Sequence, residues 1–254
     1  MEPARKLRDR IYKGEITTGL LCSEHVWPDL VELSARNGID YIIVDMEHGN
    51  TAIDTVAEVC ATGRRMNFPV IIRPRSNDYA TLRLAMDMGP CGFLLACVES
   101  AADLEVVRDA IHLPPRGRRR PGGIGNRWVP NYLGETWRTT VEDNFIILPQ
   151  IETLRGLSNV AEVAGHDLTT ALAVGPYDLS AELGVAGQMS AAPLKEALVT
   201  ILAAAKAAGK PGWMIGGNIE ELVANGWRFL CFGEPIWILE AGFRDRITRA
   251  KGGK

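Results

Sequence analysis

Eight short apolar runs, each handing over to a stretch of helical periodicity, constrain this chain more than any other feature of its sequence. They fall at 16–22, 41–45, 69–73, 92–98, 145–152, 170–175, 211–216 and 229–233. Segments such as Tyr41-Ile42-Ile43-Val44 and Val70-Ile71-Ile72 are continuously apolar, with no polar alternation. Strands of that kind belong to a parallel sheet buried on both faces. Helical spacing follows over 27–37, 51–65, 78–88, 101–112, 154–164, 193–208, 219–225 and 235–250, after a short charged helix over 3–13. Gly38, Gly89, Gly209 and Gly226 stand where helices would end. Eight such units favour a closed (β/α)8 TIM barrel, an α/β fold, over an open doubly wound sheet. The length of 254 residues suits one barrel domain over 1–254.

The rhythm breaks over 113–143, which carries Arg116, Arg118, Arg119 and Arg120 with Trp128 and Trp137. A loop this long is uncommon unless functional, and a short helix is expected over 132–137. Arginines among tryptophans would suit nucleic acid. With a net charge of −3, a solvated loop, an anion clamp or a subunit contact is favoured instead. No apolar run approaches the roughly 18 residues of a membrane helix, and the N-terminal segment lacks the apolar stretch of a signal peptide. Cys22, Cys60, Cys91, Cys97 and Cys231 are odd in number and scattered. They read as reduced cysteines of a cytoplasmic protein, neither a disulfide framework nor a zinc site.

In a (β/α)8 barrel the chemistry sits at the C-terminal ends of the strands. Those ends offer Ser23, Glu24 and His25; Asp45, Glu47 and His48; Arg73 and Arg75; Glu99; Gln150 and Glu152; Asp178 and Ser180; Gly216, Gly217 and Asn218; and Gly233 and Glu234. The opposite ends are plainer, as in Asn67-Phe68-Pro69 and Trp227-Arg228. Glu152 and Asp178 each close an apolar run and then enter a helical pattern. On adjacent strands five and six they would stand side by side, a site for a hard divalent cation. Position alone leaves equally open that Glu152 is an acid favoured by a helix start. Gln150 shares the face of Glu152 by strand periodicity.

His48, one of four histidines, has the reference pKa of a general base near neutrality, but a loop histidine bonded to backbone is as good a reading of position alone. Arg73 can hold a carboxylate or a developing enolate oxygen, or pair with Asp45 or Glu47, and the roles can coexist. Between Lys13 and Lys195 there is no lysine, and Lys206, Lys210, Lys251 and Lys254 do not follow strands. A Schiff-base aldolase needs a lysine in the barrel mouth, so carbonyl chemistry here would require a metal as electrophile. Ile215-Gly216-Gly217-Asn218 would suit a phosphate at a helix start, or simply a tight turn.

Together, Asp45-Met46-Glu47-His48, Arg73-Pro74 with Asn77-Asp78, Gln150-Ile151-Glu152-Thr153 and Gly175-Pro176-Tyr177-Asp178-Leu179-Ser180 resemble the HpcH/HpaI aldolase family over roughly residues 16–240. The resemblance implies a (β/α)8 barrel whose last helix packs onto a neighbouring subunit, in a homo-oligomer such as a trimer or hexamer. It implies that Glu152 and Asp178 bind Mg²⁺, Mn²⁺ or Co²⁺, and that His48 is the acid/base with Asp87 orienting its imidazole. Arg73 would lie over the pyruvate keto oxygen, with Gln150, Gly175 and Pro176 against the substrate and Asp45 and Glu47 behind them. The expected activity is class II retro-aldol cleavage of a 4-hydroxy-2-oxo acid to pyruvate and an aldehyde. The alternatives are an acyl-CoA lyase of the malyl-CoA or citramalyl-CoA type and a barrel that binds keto acids without turnover. Three places depart from the family pattern: Met46 where glycine is usual, the first strand's end Cys22-Ser23-Glu24-His25, and the loop over 116–127. These regions are expected to flank the acceptor side of the pocket.

Overall fold

The computed structural model describes residues 1–120, 122–130 and 135–252. Eight parallel strands close into one barrel: β1 (Thr17–Cys22), β2 (Tyr41–Asp45), β3 (Val70–Arg73), β4 (Gly92–Leu95), β5 (Ile146–Ile151), β6 (Leu172–Val174), β7 (Gly212–Ile215) and β8 (Phe229–Cys231). The seam joins β1 to β8 with Gly19 opposite Cys231. Every residue of β2 to β8 is buried, the property that the continuous apolar runs encode.

Around the strands run α1 (Glu2–Tyr12), α2 (Asp29–Arg36), α3 (Ile53–Met66), α4 (Tyr79–Asp87), α5 (Ala101–Ile111), α6 (Glu135–Thr140), α7 (Leu154–Ser158), α8 (Val160–Gly165), α9 (Pro176–Glu182), α10 (Ala192–Ala207), α11 (Ile219–Ala224) and α12 (Pro235–Ala250). The helix expected over 154–164 is two helices, because Asn159 leaves helical geometry at φ −101° and ψ 13°. Its side-chain amide donates to the Glu99 carbonyl at 2.8 Å. A count of eight units has no place for α9. Pro176 opens it at the first helical position, where the missing N–H costs nothing. Asp178 therefore stands in the first turn of a helix, not on the strand end.

One rim is closed. α1 buries Ala4, Leu7 and Ile11, its Arg8 donates to the Phe145 carbonyl at 2.9 Å, and its Tyr12 hydroxyl donates to the Thr170 carbonyl at 3.1 Å. Both acceptors precede strands, so α1 caps the N-terminal rim. Inside the barrel the Tyr41 hydroxyl donates to the Leu230 carbonyl at 2.6 Å and accepts from the Trp213 indole at 2.8 Å. Gly19 makes room for that ring: a Cβ there would lie 2.2 Å from it.

The loop over 113–143 leaves α5 and enters β5, so it starts and finishes at the closed rim. None of its described residues lines the cavity at the open mouth. The expectation that it flanks the acceptor side is thus corrected for a single chain. Three of its arginines are bound to acids and rings of the outer shell: Arg116 with Glu142 and Asp143, Arg118 with Asp109, and Arg119 with Asp87 and over Trp137. Pro121 and residues 131–134, with the start of the helix expected over 132–137, lie outside the described residues, as does Lys254. The described part of that helix is α6.

Candidate active site

The open rim carries a cavity of about 310 Å³ lined from all eight strands or the segments after them, including Ser23, His48, Arg73, Leu94, Gln150, Gly175, Asp178, Ile215 and Glu234. Its best-determined part is a buried ion pair. β2 ends in Asp45 and β3 in Arg73, paired in register. Arg73 donates through Nε and Nη2 to the two oxygens of Asp45 at 2.8 and 2.6 Å. This two-point geometry fixes the plane of a guanidinium. Ser23 Oγ and the Glu47 amide also donate to Asp45, at 2.6 and 3.0 Å. Burial by itself would raise the Asp45 carboxyl, but Arg73, Ser23 and the Glu47 amide outweigh it and hold the group below the usual carboxylate range. Arg73 Nη1 stands 3.2 Å from Glu47, so both pairings considered for this arginine are present. Burial works against the Arg73 charge, and Asp45, Glu47 and Glu152 more than restore it.

The second part is a buried carboxylate. Glu152 is only 4% exposed. It accepts from the Cys97 amide at 2.6 Å and from Gln150 Nε2 at 2.6 Å. Burial raises the Glu152 pKa. The Cys97 amide opposes this, while Asp178 and Glu47 push further in the same direction. Asp178 is exposed at the start of α9, and no ion pair forms on it among the described residues. Gly175 permits the approach: a Cβ there would lie 2.1 Å from Glu152 Oε2 and 2.5 Å from Gln150 Nε2. Gln150 Oε1 is buried without a hydrogen-bond partner, an acceptor left over in the cavity wall.

These residues fit a hard divalent cation. Glu152 and Asp178 supply oxygens of the right chemistry, and the burial that raises the Glu152 pKa, with the added repulsion from Asp178, is what a cation would offset. Among the described residues no three His, Cys, Asp or Glu side chains converge as a cage. Two carboxylates with remaining positions open to water and substrate is the arrangement Mg²⁺ commonly takes.

Other expected residues divide. His48 lines the cavity with its imidazole 65% exposed and Nε2 3.8 Å from Glu47. Asp87 is not brought to His48. It ends α4, which runs back down the barrel from the mouth, and it pairs with Arg119 at 3.1 Å near the closed rim. A role for Asp87 in orienting His48 within one chain is therefore withdrawn. Gly216, Gly217 and Asn218 line a separate outer groove of about 450 Å³ between α10 and α11, and the Asn218 side chain caps α11. That is the tight-turn reading. Ser180 is buried in α9, bonded to the Tyr177 carbonyl and the Gly187 amide. Reasoning from sequence assigns no role to Leu21, Trp213, Ile215, Glu234 or Trp237, all in the cavity wall. Strand alternation is the available signal for two pairs: Leu21 with Ser23, and Trp213 with Ile215.

The family model for HpcH/HpaI aldolase/citrate lyase matches residues 21–214, well over half of the chain. The chain is 28% identical over 255 residues to a 4-hydroxy-2-oxovalerate aldolase of Novosphingobium aromaticivorans, covering 97% of this chain and 95% of the relative. It is 27% identical over 256 residues to a 2-keto-3-deoxy-L-rhamnonate aldolase of Shigella boydii serotype 4, covering 97% and 93%. In fold it is similar to the crystal structure of an HpcH/HpaI aldolase from Desulfitobacterium hafniense, with a TM-score of 0.85 and 22% identity over 97% of this chain and 96% of that one.

Proposed function

The chain belongs to the HpcH/HpaI aldolase/citrate lyase family, and from that premise we propose that it is a metal-dependent pyruvate aldolase. It would cleave a 4-hydroxy-2-oxo acid reversibly to pyruvate and an aldehyde, in the cytoplasm. The observation that carries this reading is the pairing of a buried, doubly hydrogen-bonded Glu152 with the exposed carboxylate of Asp178 at the mouth of a barrel. Among the described residues no lysine lines the cavity. A divalent cation bound at the pair, Mg²⁺, Mn²⁺ or Co²⁺, would polarise the 2-oxo group and take up charge that develops on it.

The chain's own residues do the rest. Arg73, locked in plane by Asp45, presents its outer edge to the cavity, where a guanidinium stabilises the enolate oxygen of the departing pyruvate. Its orientation is set before substrate arrives, so little reorganisation is needed during the reaction. Gln150, held by Glu152, offers its unpartnered Oε1, and Gly175 and Pro176 bound the same wall. His48 would take the 4-hydroxyl proton, through a water, as the C3–C4 bond breaks, and return it in the condensation direction. Glu47 lies between Arg73 and His48, 3.2 Å from the guanidinium and 3.8 Å from the imidazole.

Retro-aldol cleavage coupled to lactate dehydrogenase tests this. Chelation, or Glu152→Ala, is expected to lower the rate on the order of 100-fold or more, the loss typical of removing one such stabilising group. Undiminished cleavage by exhaustively chelated enzyme would overturn the metal mechanism.

The same reading includes a homo-oligomer, a trimer or hexamer, with α12 exchanged between subunits. Its support is the surface of α12. Trp237, Ile238, Leu239, Phe243 and Ile247 are each 46–59% exposed, and Pro235 alone in that helix is buried. Trp237 also reaches the cavity wall, but five large apolar side chains along 16 residues call for a covering surface beyond what their own barrel provides.

A further inference from the structure

Besides Glu24, 3.8 Å from His25, and Glu99, 3.5 Å from Arg155, five carboxylates approach the mouth: Asp45, Glu47, Glu152, Asp178 and Glu234. Arg73 ion-pairs with the first two at 2.6 and 3.2 Å. Under the aldolase reading, on which the role assigned here to Glu234 rests, a divalent cation neutralises Glu152 and Asp178. Glu234 is left over. Among the described residues no cation pairs with it. Instead the Ser23 amide donates to its two oxygens at 2.8 and 3.1 Å, which favours the charged form.

Glu234 follows β8 and Ser23 follows β1, at the barrel seam, and β1 lies opposite β5 in a closed ring of eight. Their wall of the cavity is completed by Leu21, Ile215 and Trp237. A 4-hydroxy-2-oxo acid held by its oxo-acid end at Glu152 and Asp178 has one direction in which to extend across the mouth. The fragment that leaves as aldehyde comes to lie against this apolar wall, with a carboxylate in it that no described cation pairs.

We infer that Glu234 is the specificity-determining residue for the aldehyde: it makes the far wall reject acceptors with a terminal carboxylate and accept uncharged or hydroxylated ones. Hydroxyl groups can donate to the free lone pairs of Glu234, while an anion meets a like charge in a half-enclosed space. A like-charge contact about 6 Å apart at an effective dielectric of about 20 corresponds to a discrimination on the order of 100-fold. Solvent access at the mouth reduces this toward 10-fold. Burial and Asp45 raise the Glu234 pKa while Ser23 opposes them, so the charged state is best examined at about pH 8, well above the ordinary carboxylate range.

The experiment is condensation of pyruvate with succinic semialdehyde and, separately, with its uncharged primary amide, in wild type, Glu234→Gln and Glu234→Asp. The expected result is a wild-type kcat/KM favouring the amide by about 10-fold or more, narrowing with added salt. Glu234→Gln should bring the ratio toward one, and Glu234→Asp, which keeps the charge, should retain it. Equal use of both aldehydes by wild type, or a preference that survives Glu234→Gln, would overturn the inference while leaving the aldolase reading intact. The wild-type comparison and its salt dependence decide the matter even if the glutamine variant does not fold. Failure to condense pyruvate with either aldehyde, under several metals, would instead remove the aldolase reading and this inference with it.

Discussion

At the scale of single residues the site depends on what is absent at position 175. Any side chain on Gly175 would enter the space of Glu152 Oε2 and Gln150 Nε2, and neither neighbour has anywhere to go in a wall this buried. Gly175→Ala is expected to displace the Glu152 carboxylate, weaken Mn²⁺ binding in a calorimetric titration by at least about 10-fold and lower kcat/KM on the order of 100-fold, with the fold retained by circular dichroism. Glu152 itself illustrates a conflict between stability and function. Burial raises its pKa, so the folded chain holds that proton more tightly than the unfolded chain does. Stability is therefore lost as pH rises from the unfolded value through the folded one, and at neutrality the ionised group is a burden on the metal-free fold. Glu152→Gln should abolish cleavage yet raise the melting temperature of chelated protein by roughly 2–4 °C, the response of a chain this size to about 1 kcal/mol. A lower melting temperature for the variant would show that the hydrogen bonds from Cys97 and Gln150 outweigh the cost of the buried charge. The acids of this site are legible in the sequence because carboxylates at the ends of apolar runs are conspicuous. The glycine's reason is not, since the atoms it avoids come from another strand.

At the scale of elements, α12 and α4 carry the lessons. Sequence periodicity gives α12 its length, 235–250, and the structure agrees. What periodicity does not say is that the apolar side of this helix is left half-exposed by its own barrel. Fully burying a large apolar side chain is worth about 1.5–3 kcal/mol. For five half-exposed ones the gain from a covering subunit is on the order of several kcal/mol, and Phe243→Asp together with Ile247→Asp should reverse it. Light scattering after gel filtration is expected to report a smaller assembly for the double variant, and an unchanged mass would show that α12 is not the interface. α4 shows the opposite failure. Resemblance puts Asp87 beside His48, yet the direction of α4 carries it from the mouth to the closed rim. Helix sense, fixed by the alternation of strand and helix, excludes the contact within one chain whatever the side chains are. The misjudged loop over 116–127 follows the same logic, since a connection from helix to strand must begin and end on the far side from the chemistry.

At the scale of the whole molecule, stability toward acid follows from two buried groups in different windows. His112, near the closed rim, is held down to about 4, first by burial and then by the charges of Arg116 and Arg108. Between about 6.5 and about 4 the unfolded chain binds this proton and the folded chain does not. Stability therefore falls as pH drops through that window, by at most about 1.4 kcal/mol per unit. Asp45, held below the carboxylate range by Arg73 after burial is overcome, contributes stability above its unfolded value that is lost only at lower pH. Melting followed from pH 7 to pH 4 should decline, and His112→Gln should flatten that part of the curve while leaving any steeper loss at lower pH; an unaltered slope would show that other groups govern it. No described helix is long and apolar enough to cross a membrane. The sequence by itself determined the eight strands, their parallel burial and the rim on which the acids gather, because burial on both faces and the strand-to-helix order are written in local composition. It argued for a metal only as far as the missing lysine could. Tertiary structure alone decided that Asp45 fixes the plane of Arg73, that Gly175 makes room for Glu152, and that within one chain Asp87 lies at the rim opposite His48. It also decided that Glu234 meets Ser23 across the seam of β8 and β1. Each of these is a contact between strands or helices distant in the chain, set by barrel closure and register, and neither periodicity nor composition contains that information.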